Sequence, residues 1–102
     1  MFIFDVFPLA TNWVVVEVER CDEFAPVKNE PGHTTDSPDT AMLLMSNQAK
    51  RWLLKAGANI INTSTVNTKD DIYEISPLLS YDGEGLDKFN GINISSPVYL
   101  IN

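Results

Sequence analysis

Lys28 is the residue whose type and position most directly suggest chemistry with a charged ligand. No other Lys precedes Lys50, and Lys28 lies in a Pro- and Gly-containing loop that follows a Val-rich segment. Ligands of open α/β sheets bind beyond the carboxyl ends of the strands, where an ammonium group suits a phosphate as a compact positive charge. The alternative is a surface Lys that offsets nearby acidic side chains. Residue spacing alone leaves both interpretations open.

The other reactive side chains form no complete catalytic or metal-binding pattern. His33 is the only His and lies in the same loop, without local support for a Ser–His–Asp triad. Cys21 is the only Cys, which excludes an intrachain disulfide, and with His33 alone it cannot complete a Cys/His zinc site. The neighbouring carboxylates at 22–23 and 70–71 are typical of solvent-facing turns rather than of an acid/base pair. The Gly-Glu-Gly at 83–85 is not part of a GxGxxG or GxxxxGK(S/T) sequence, so it does not predict a phosphate-binding loop.

Composition and charge indicate a small folded chain. The 102 residues fit one modest domain, and the 44% apolar content argues against intrinsic disorder. No apolar run approaches the length of a membrane span, and the N-terminus lacks the basic region of a signal peptide. The net charge of −7 argues against non-specific nucleic-acid binding. We therefore expect a soluble, cytoplasmic chain with no nucleic-acid or membrane partner.

Two elements are expected around Lys28. The β-branched residues of Trp13–Arg20 predict a strand covered on both faces, followed by a loop from Cys21 to Asp36. Ser37 as N-cap, Pro38 at the first helical position and a stop at Gly57 predict a helix. Apolar residues at helical spacing predict that this helix buries two sides.

Short strands and turns are expected after the helix. Strand candidates are residues 58–62, 72–76 and 96–102, and the Asp-Gly at 82–83 is typical of a hairpin turn. One helix followed by several short strands gives a mixed α/β layout.

Four segments resemble the eukaryotic UDP-N-acetylglucosamine (UDP-N-acetylhexosamine) pyrophosphorylases. The first is FIFDVF at residues 2–7, followed by the Val-rich segment and RCDEFAPVKN at residues 20–29. The others are the helix start at residues 36–41, the helix end at residues 48–57 and EISPLLSYDGEGL at residues 74–86. The resemblance covers almost the whole chain, with its motifs in the family's order.

The resemblance implies a reaction and two site residues. UTP and N-acetylglucosamine 1-phosphate would give UDP-N-acetylglucosamine and pyrophosphate with Mg²⁺, which is bound mainly through the nucleotide and the catalytic half outside this chain. Such chemistry depends on positioning and on neutralising phosphate charge. Lys28 matches the family Lys that reaches the phosphates, as a catalytic and substrate-binding residue. Phe4 matches a residue that lines the sugar pocket, whereas Asp5 and Asn29 are not expected to be direct ligands.

The resemblance implies only the C-terminal portion of such an enzyme. The family's Gly-rich nucleotide loop is not among these residues, and the chain starts within buried-type sequence, which indicates truncation. The implied fold is mixed α/β: residues 1–35 would form the tail end of a nucleotidyltransferase Rossmann-like sheet, and residues 36–102 a small C-terminal domain of one helix and short strands. We expect the chain to be inactive alone.

Two alternatives to this assignment remain. The chain could be a non-catalytic interaction module of the same fold, with self-association through uncovered apolar surface. It could also be part of a related UDP-sugar pyrophosphorylase that uses glucose 1-phosphate or a broader set of sugars.

Overall fold

The computed structural model describes residues 2–61 and 71–101. Its two α-helices are α1 (Arg20–Glu23) and α2 (Pro38–Lys55), and short 3₁₀ helices span Ile3–Leu9 and Asp87–Phe89. The four strands are β1 (Asn59–Ile61), β2 (Tyr73–Ile75), β3 (Asn93–Ser95) and β4 (Val98–Leu100). The mixed α/β architecture expected from the sequence is confirmed. The division into two domains at residue 35 stays a prediction.

Helix α2 begins and ends where its capping residues predict. The Ser37 hydroxyl accepts a hydrogen bond from the Thr40 amide at 3.3 Å, and the Thr40 hydroxyl accepts one from the Ser37 amide at 2.9 Å. This reciprocal pair satisfies two amides at the helix start that have no partner within the helix. Gly57 follows the last turn of α2 with a φ of 89°. Residues that have a Cβ atom disfavour this left-handed backbone conformation, so Gly suits the end of the helix.

The strands form two separate parallel pairs. Strand β1 pairs with β3, and β2 pairs with β4, each over three residues. The predicted strands at 58–62, 72–76 and 96–102 are confirmed in their described parts, while β3 was not expected. The predicted hairpin at Asp82–Gly83 is wrong, because β2 finds its partner in a strand far along the chain rather than across that turn.

The core lies between one face of α2 and the strands. Its buried apolar members are Ala49, Leu53, Ala58, Tyr73 and Ile94, with further partly buried residues from β1, β2 and β4 around them. Leu53 is fully buried, and the Tyr73 ring is 1% exposed. Every buried residue of the described chain lies between Ser37 and Ser96.

The expectation that α2 buries two sides is wrong. Leu43 and Leu54, which were expected on the second buried side, are each about half exposed. The two parallel strand pairs cover one face of the helix, and no element of residues 2–61 and 71–101 packs over the other with comparable burial.

The Val-rich segment is not a strand. Residues 13–19 are irregular and exposed, and α1 replaces the start of the predicted loop at Cys21. A strand requires a neighbour that accepts and donates its backbone hydrogen bonds. None of the four strands described lies beside this segment. The radius of gyration of 17.2 Å exceeds the value of about 13 Å for a compact domain of this length, because residues 2–25 lie outside the core.

In the described part of the chain, no helix is both long enough and apolar enough to span a membrane.

Candidate functional site

The loop that carries Lys28 is closed at its base by backbone hydrogen bonds. The amides of Lys28 and Asn29 both donate to the Asp36 carbonyl, at 2.7 and 2.9 Å. The Asn29 side chain donates to the Thr35 carbonyl at 2.8 Å. Asn29 therefore holds the two ends of the loop together, and the expectation that it is no direct ligand stays a prediction.

The interior of this loop is anchored to the start of α2. The Ser37 hydroxyl donates to the His33 carbonyl at 2.8 Å, and the Gly32 amide donates to the Asp39 carboxylate at 2.6 Å. The His33 ring nitrogen Nδ1 lies 3.1 Å from the Thr35 carbonyl, so the polar contacts of the ring are local to the loop. Loop 28–36 is thus a compact extension of the helix N-terminus.

Lys28 itself projects its charge into solvent. Its side chain is exposed, and within residues 2–61 and 71–101 it makes no ion pair with any carboxylate. The neighbouring acidic residues therefore do not hold the ammonium group in the structure. Such a group on a fixed backbone is suited to contact a phosphate. Its role as a catalytic and substrate-binding residue stays a prediction.

Phe4 lies on the 3₁₀ helix Ile3–Leu9. Its side chain is 67% exposed, and its ring meets the Phe7 ring edge-on with centroids 5.7 Å apart. Asp5 accepts a hydrogen bond from the Phe2 amide at 2.7 Å, so it caps this helix. Among the described residues, neither Phe4 nor Lys28 lines the cleft between Phe24 and Leu43 or the cleft between Val27 and Met45. The role of Phe4 in sugar binding stays a prediction.

The second motif, residues 74–86, folds into a turn centred on Glu84. Its carboxylate accepts hydrogen bonds from the amides of Tyr81 and Asp82 at 2.8 and 2.6 Å, and from the Ser80 hydroxyl at 3.1 Å. These donors favour the charged carboxylate, and the backbone amides of Tyr81 and Asp82 contribute most to lowering the Glu84 pKa to about 2.

The same turn packs against α2 through Gly83. A Cβ added at Gly83 would lie 2.9 Å from two atoms of the Trp52 ring, and the φ of this residue is 84°. The turn can therefore approach the indole only with Gly at this position. The motif that carries the resemblance thus serves a structural contact with the helix.

Glu84 gives a testable pH dependence. Its pKa is depressed in the folded chain relative to its ordinary value of 4.5, so the stability that it contributes is fully present above pH 4.5. That contribution is lost as the pH falls from 4.5 toward about 2, where the folded-state carboxylate itself is protonated. We expect the carboxyl carbon resonance of Glu84 to titrate with a midpoint near 2, which follows its pKa in the folded chain. A Glu84 midpoint at its ordinary value of 4.5 would contradict the turn geometry.

A buried polar cluster joins α2 to β2. The Ser46 hydroxyl accepts a hydrogen bond from the Tyr73 amide at 2.8 Å, and the Lys50 ammonium group lies 3.3 Å from the Asp71 carboxylate. The Ser96 hydroxyl and then Lys50 lower the pKa of Asp71, against the opposing effect of burial. The cluster lies at the helix–strand junction, and we assign it to the fold.

Two helical side chains that sequence reasoning missed connect α1 to α2. Gln48 donates to the Asp22 carbonyl at 2.8 Å, and Arg51 pairs with the Asp22 carboxylate and donates to the Cys21 carbonyl at 3.3 Å. Their spacing of three residues on one helix face was the available signal. Such a spacing is also typical of a solvated surface, so it does not single them out.

The described residues do not supply a metal site of their own. In residues 2–61 and 71–101, no group of three or more His, Cys, Asp and Glu side chains could hold a metal ion. Mg²⁺ prefers carboxylates and phosphate oxygens in an octahedral arrangement, which this part of the chain does not offer.

Comparison with known proteins identifies relatives over nearly the whole chain. No family model matches it. The chain is 39% identical to the mouse (Mus musculus) UDP-N-acetylhexosamine pyrophosphorylase-like protein 1, over 97% of this chain and 22% of that protein. It is 43% identical to the UDP-N-acetylglucosamine pyrophosphorylase of Saccharomyces cerevisiae, over 88% of this chain and 18% of that protein.

A crystal structure supports the same relationship. That structure, from Entamoeba histolytica and assigned as a UDP-N-acetylglucosamine pyrophosphorylase, has a TM-score of 0.78 and 36% identity. It matches 99% of this chain and 24% of the Entamoeba chain. The chain thus spans about a fifth to a quarter of the length of the relatives that it matches. The resemblance inferred from the motifs is therefore confirmed: the chain is homologous to one segment of the UDP-N-acetylglucosamine pyrophosphorylases.

Proposed function

We propose that this chain acts as the C-terminal segment of a UDP-N-acetylglucosamine pyrophosphorylase and supplies Lys28 to its active site. The observation that carries the proposal is the closed loop 28–36, which fixes the backbone of Lys28 while leaving its ammonium group exposed and without an ion pair in the described chain. The motif that contains Lys28 lies within the homologous segment.

The proposed reaction joins UTP and N-acetylglucosamine 1-phosphate. A phosphate oxygen of the sugar phosphate attacks the α-phosphorus of UTP, and the bond from that phosphorus to the bridging oxygen breaks to release pyrophosphate. Negative charge builds up on the phosphate oxygens in the transition state. The Lys28 ammonium group stabilises that charge, and Phe4 lines the sugar pocket. Mg²⁺ in this proposal is bound through the nucleotide and residues outside this chain, and the location is cytoplasmic.

Segment replacement in the yeast relative tests this proposal. Replacing the matching segment of the Saccharomyces cerevisiae pyrophosphorylase by this chain, hereafter the yeast chimera, should preserve release of pyrophosphate from UTP and N-acetylglucosamine 1-phosphate. The 102-residue chain alone should release none. A folded yeast chimera without activity would contradict the proposal, and so would robust turnover by the isolated chain.

A non-catalytic interaction module is the second candidate. The observation that favours it is the exposed apolar surface of residues 2–18, where Val14, Val15 and Leu9 are each more than 80% exposed. Surfaces of this kind mark protein contacts. The two candidates differ in outcome, because a module of this kind would fold in the yeast chimera without restoring catalysis.

The sugar range is tested with the same yeast chimera. We propose N-acetylglucosamine 1-phosphate as the substrate, and rates with glucose 1-phosphate measured alongside it identify the alternative of a broader UDP-sugar pyrophosphorylase.

A further inference from the structure

Helix α2 holds the chain before Lys28 with a three-bond clamp, formed by Gln48 and Arg51. Gln48 donates to the Asp22 carbonyl at 2.8 Å, and Arg51 binds both the Cys21 carbonyl at 3.3 Å and the Asp22 carboxylate. The planar guanidinium group presents several donors in a fixed arrangement, so it can bind a carbonyl and a carboxylate together. The clamp therefore fixes both the backbone and the side chain of α1 at Asp22.

The chain after Lys28 is held at the opposite end of the same helix. The amides of Lys28 and Asn29 donate to the Asp36 carbonyl, and Asp36 immediately precedes Ser37, the N-cap of α2. Lys28 thus lies at one tie to α2, and Asp22 lies at the other.

The chain between these two ties, residues 22–28, is largely extended. Six residues from Asp22 to Lys28 span at most about 20–22 Å when fully extended. The distance along α2 from Pro38 to the Gln48–Arg51 turn is about 15–20 Å at the helical rise per residue. The segment therefore runs largely extended between its two ties, so that a displacement at Asp22 changes the path of the chain that leads to Lys28.

Contacts along the helix agree with this course. Phe24 and Pro26 share a cleft of about 590 Å³ with Thr40 and Leu43 of α2. Val27 shares a second cleft, of about 310 Å³, with α2 residues on an adjoining face. The segment from Phe24 to Val27 therefore runs along α2 toward its N-terminus.

We infer that Gln48 and Arg51 are positioning residues for Lys28: by clamping Asp22 to α2, they set the placement of the Lys28 ammonium group. This inference rests on the proposed role of Lys28 as the phosphate-contacting group. The clamp is on the surface, with the Arg51 and Asp22 side chains 45% and 42% exposed, and exposed ion pairs contribute little to stability. Its loss should therefore leave the fold intact while loosening Lys28.

The test measures kcat of the yeast chimera. The double variant Gln48→Ala/Arg51→Ala should lower kcat by about tenfold, since a misplacement near 1 Å can cost as much as about 10²-fold. In a Lys28→Ala background the same double variant should have no further effect, because no ammonium group remains to be positioned. Arg51→Lys should recover part of kcat, since one ammonium group can still bind the Asp22 carboxylate. Asn47→Ala, an exposed polar residue of the same helix, is the matched control.

Three outcomes would overturn the inference. In the first, the double variant lowers kcat by the same factor in the unmodified yeast chimera and in its Lys28→Ala variant. That result would show that the clamp has a general structural role and does not act through Lys28. An unchanged kcat in the double variant, with Lys28→Ala still harmful, would refute the clamp while leaving the proposed function standing. An unchanged kcat in Lys28→Ala would remove Lys28 from the site, and the inference with it.

Discussion

The Lys28→Ala substitution in the yeast chimera is expected to lower kcat by about 10²-fold, the scale of losing one charge-stabilising donor in an active site. The phosphate oxygens gain negative charge as the sugar phosphate attacks and pyrophosphate departs. An ammonium group that is fixed in advance stabilises that charge without reorganisation in the transition state. Because the Lys28 backbone is held by the Asp36 carbonyl at 2.7 Å, the loop supplies this fixed placement.

The steady-state assay separates this effect from a loss of binding alone. Pyrophosphate release at varied N-acetylglucosamine 1-phosphate should show that kcat falls, because the interaction strengthens in the transition state. Lys28→Arg, which keeps the charge on a planar group, should retain more activity than Lys28→Ala. Lys88→Ala removes an equal charge from the exposed 3₁₀ helix at Asp87–Phe89 and should leave kcat unchanged. A Lys28→Ala rate within about twofold of that of Lys88→Ala would exclude Lys28 from the site.

Local signals sufficed for the helix that organises this chain. Ser37, Pro38 and Gly57 fix the ends of α2 through interactions that span at most a few residues. Such interactions can be predicted from the sequence, because both partners are neighbours along the chain. The loop base could be anticipated in part for the same reason, since Lys28 and Asp36 are close in sequence.

The Val-rich segment shows why other elements were not predictable. Its β-branched residues fit a strand, but a strand also requires a partner, and the described part of this chain offers none to residues 13–19. Propensity therefore indicated what the segment could form and not what lies beside it. The clamp of Gln48 and Arg51 was missed for a related reason, because its partners Cys21 and Asp22 lie more than 25 residues away.

Gly83 shows that a motif can be indicative without revealing its role. Gly83 is part of residues 74–86, the motif that indicated the relatives. Gly is required at this position because the backbone lies close to the Trp52 ring across the fold. That contact depends on how the turn approaches α2. The sequence alone offers no sign of this approach.

Gly83→Ala is accordingly expected to destabilise the chain by about 2–5 kcal/mol. Of this, about 1–2 kcal/mol comes from placing a side chain at positive φ, which here is 84°. The remainder, about 1–3 kcal/mol, comes from overpacking, since the new Cβ would lie 2.9 Å from Trp52 and must displace the ring or the turn.

Gly85→Ala is the matched control for this prediction, because Gly85 also has positive φ, 68°, but a Cβ there meets no atom within 4 Å. It should cost only about 1–2 kcal/mol. Urea unfolding of the 102-residue chain, followed by Trp52 fluorescence in a Trp13→Phe background, measures both. The difference between the two variants isolates the contact with the indole. Equal destabilisation by the two substitutions would mean that the turn does not pack on Trp52, because the backbone cost is common to both and only the contact distinguishes them.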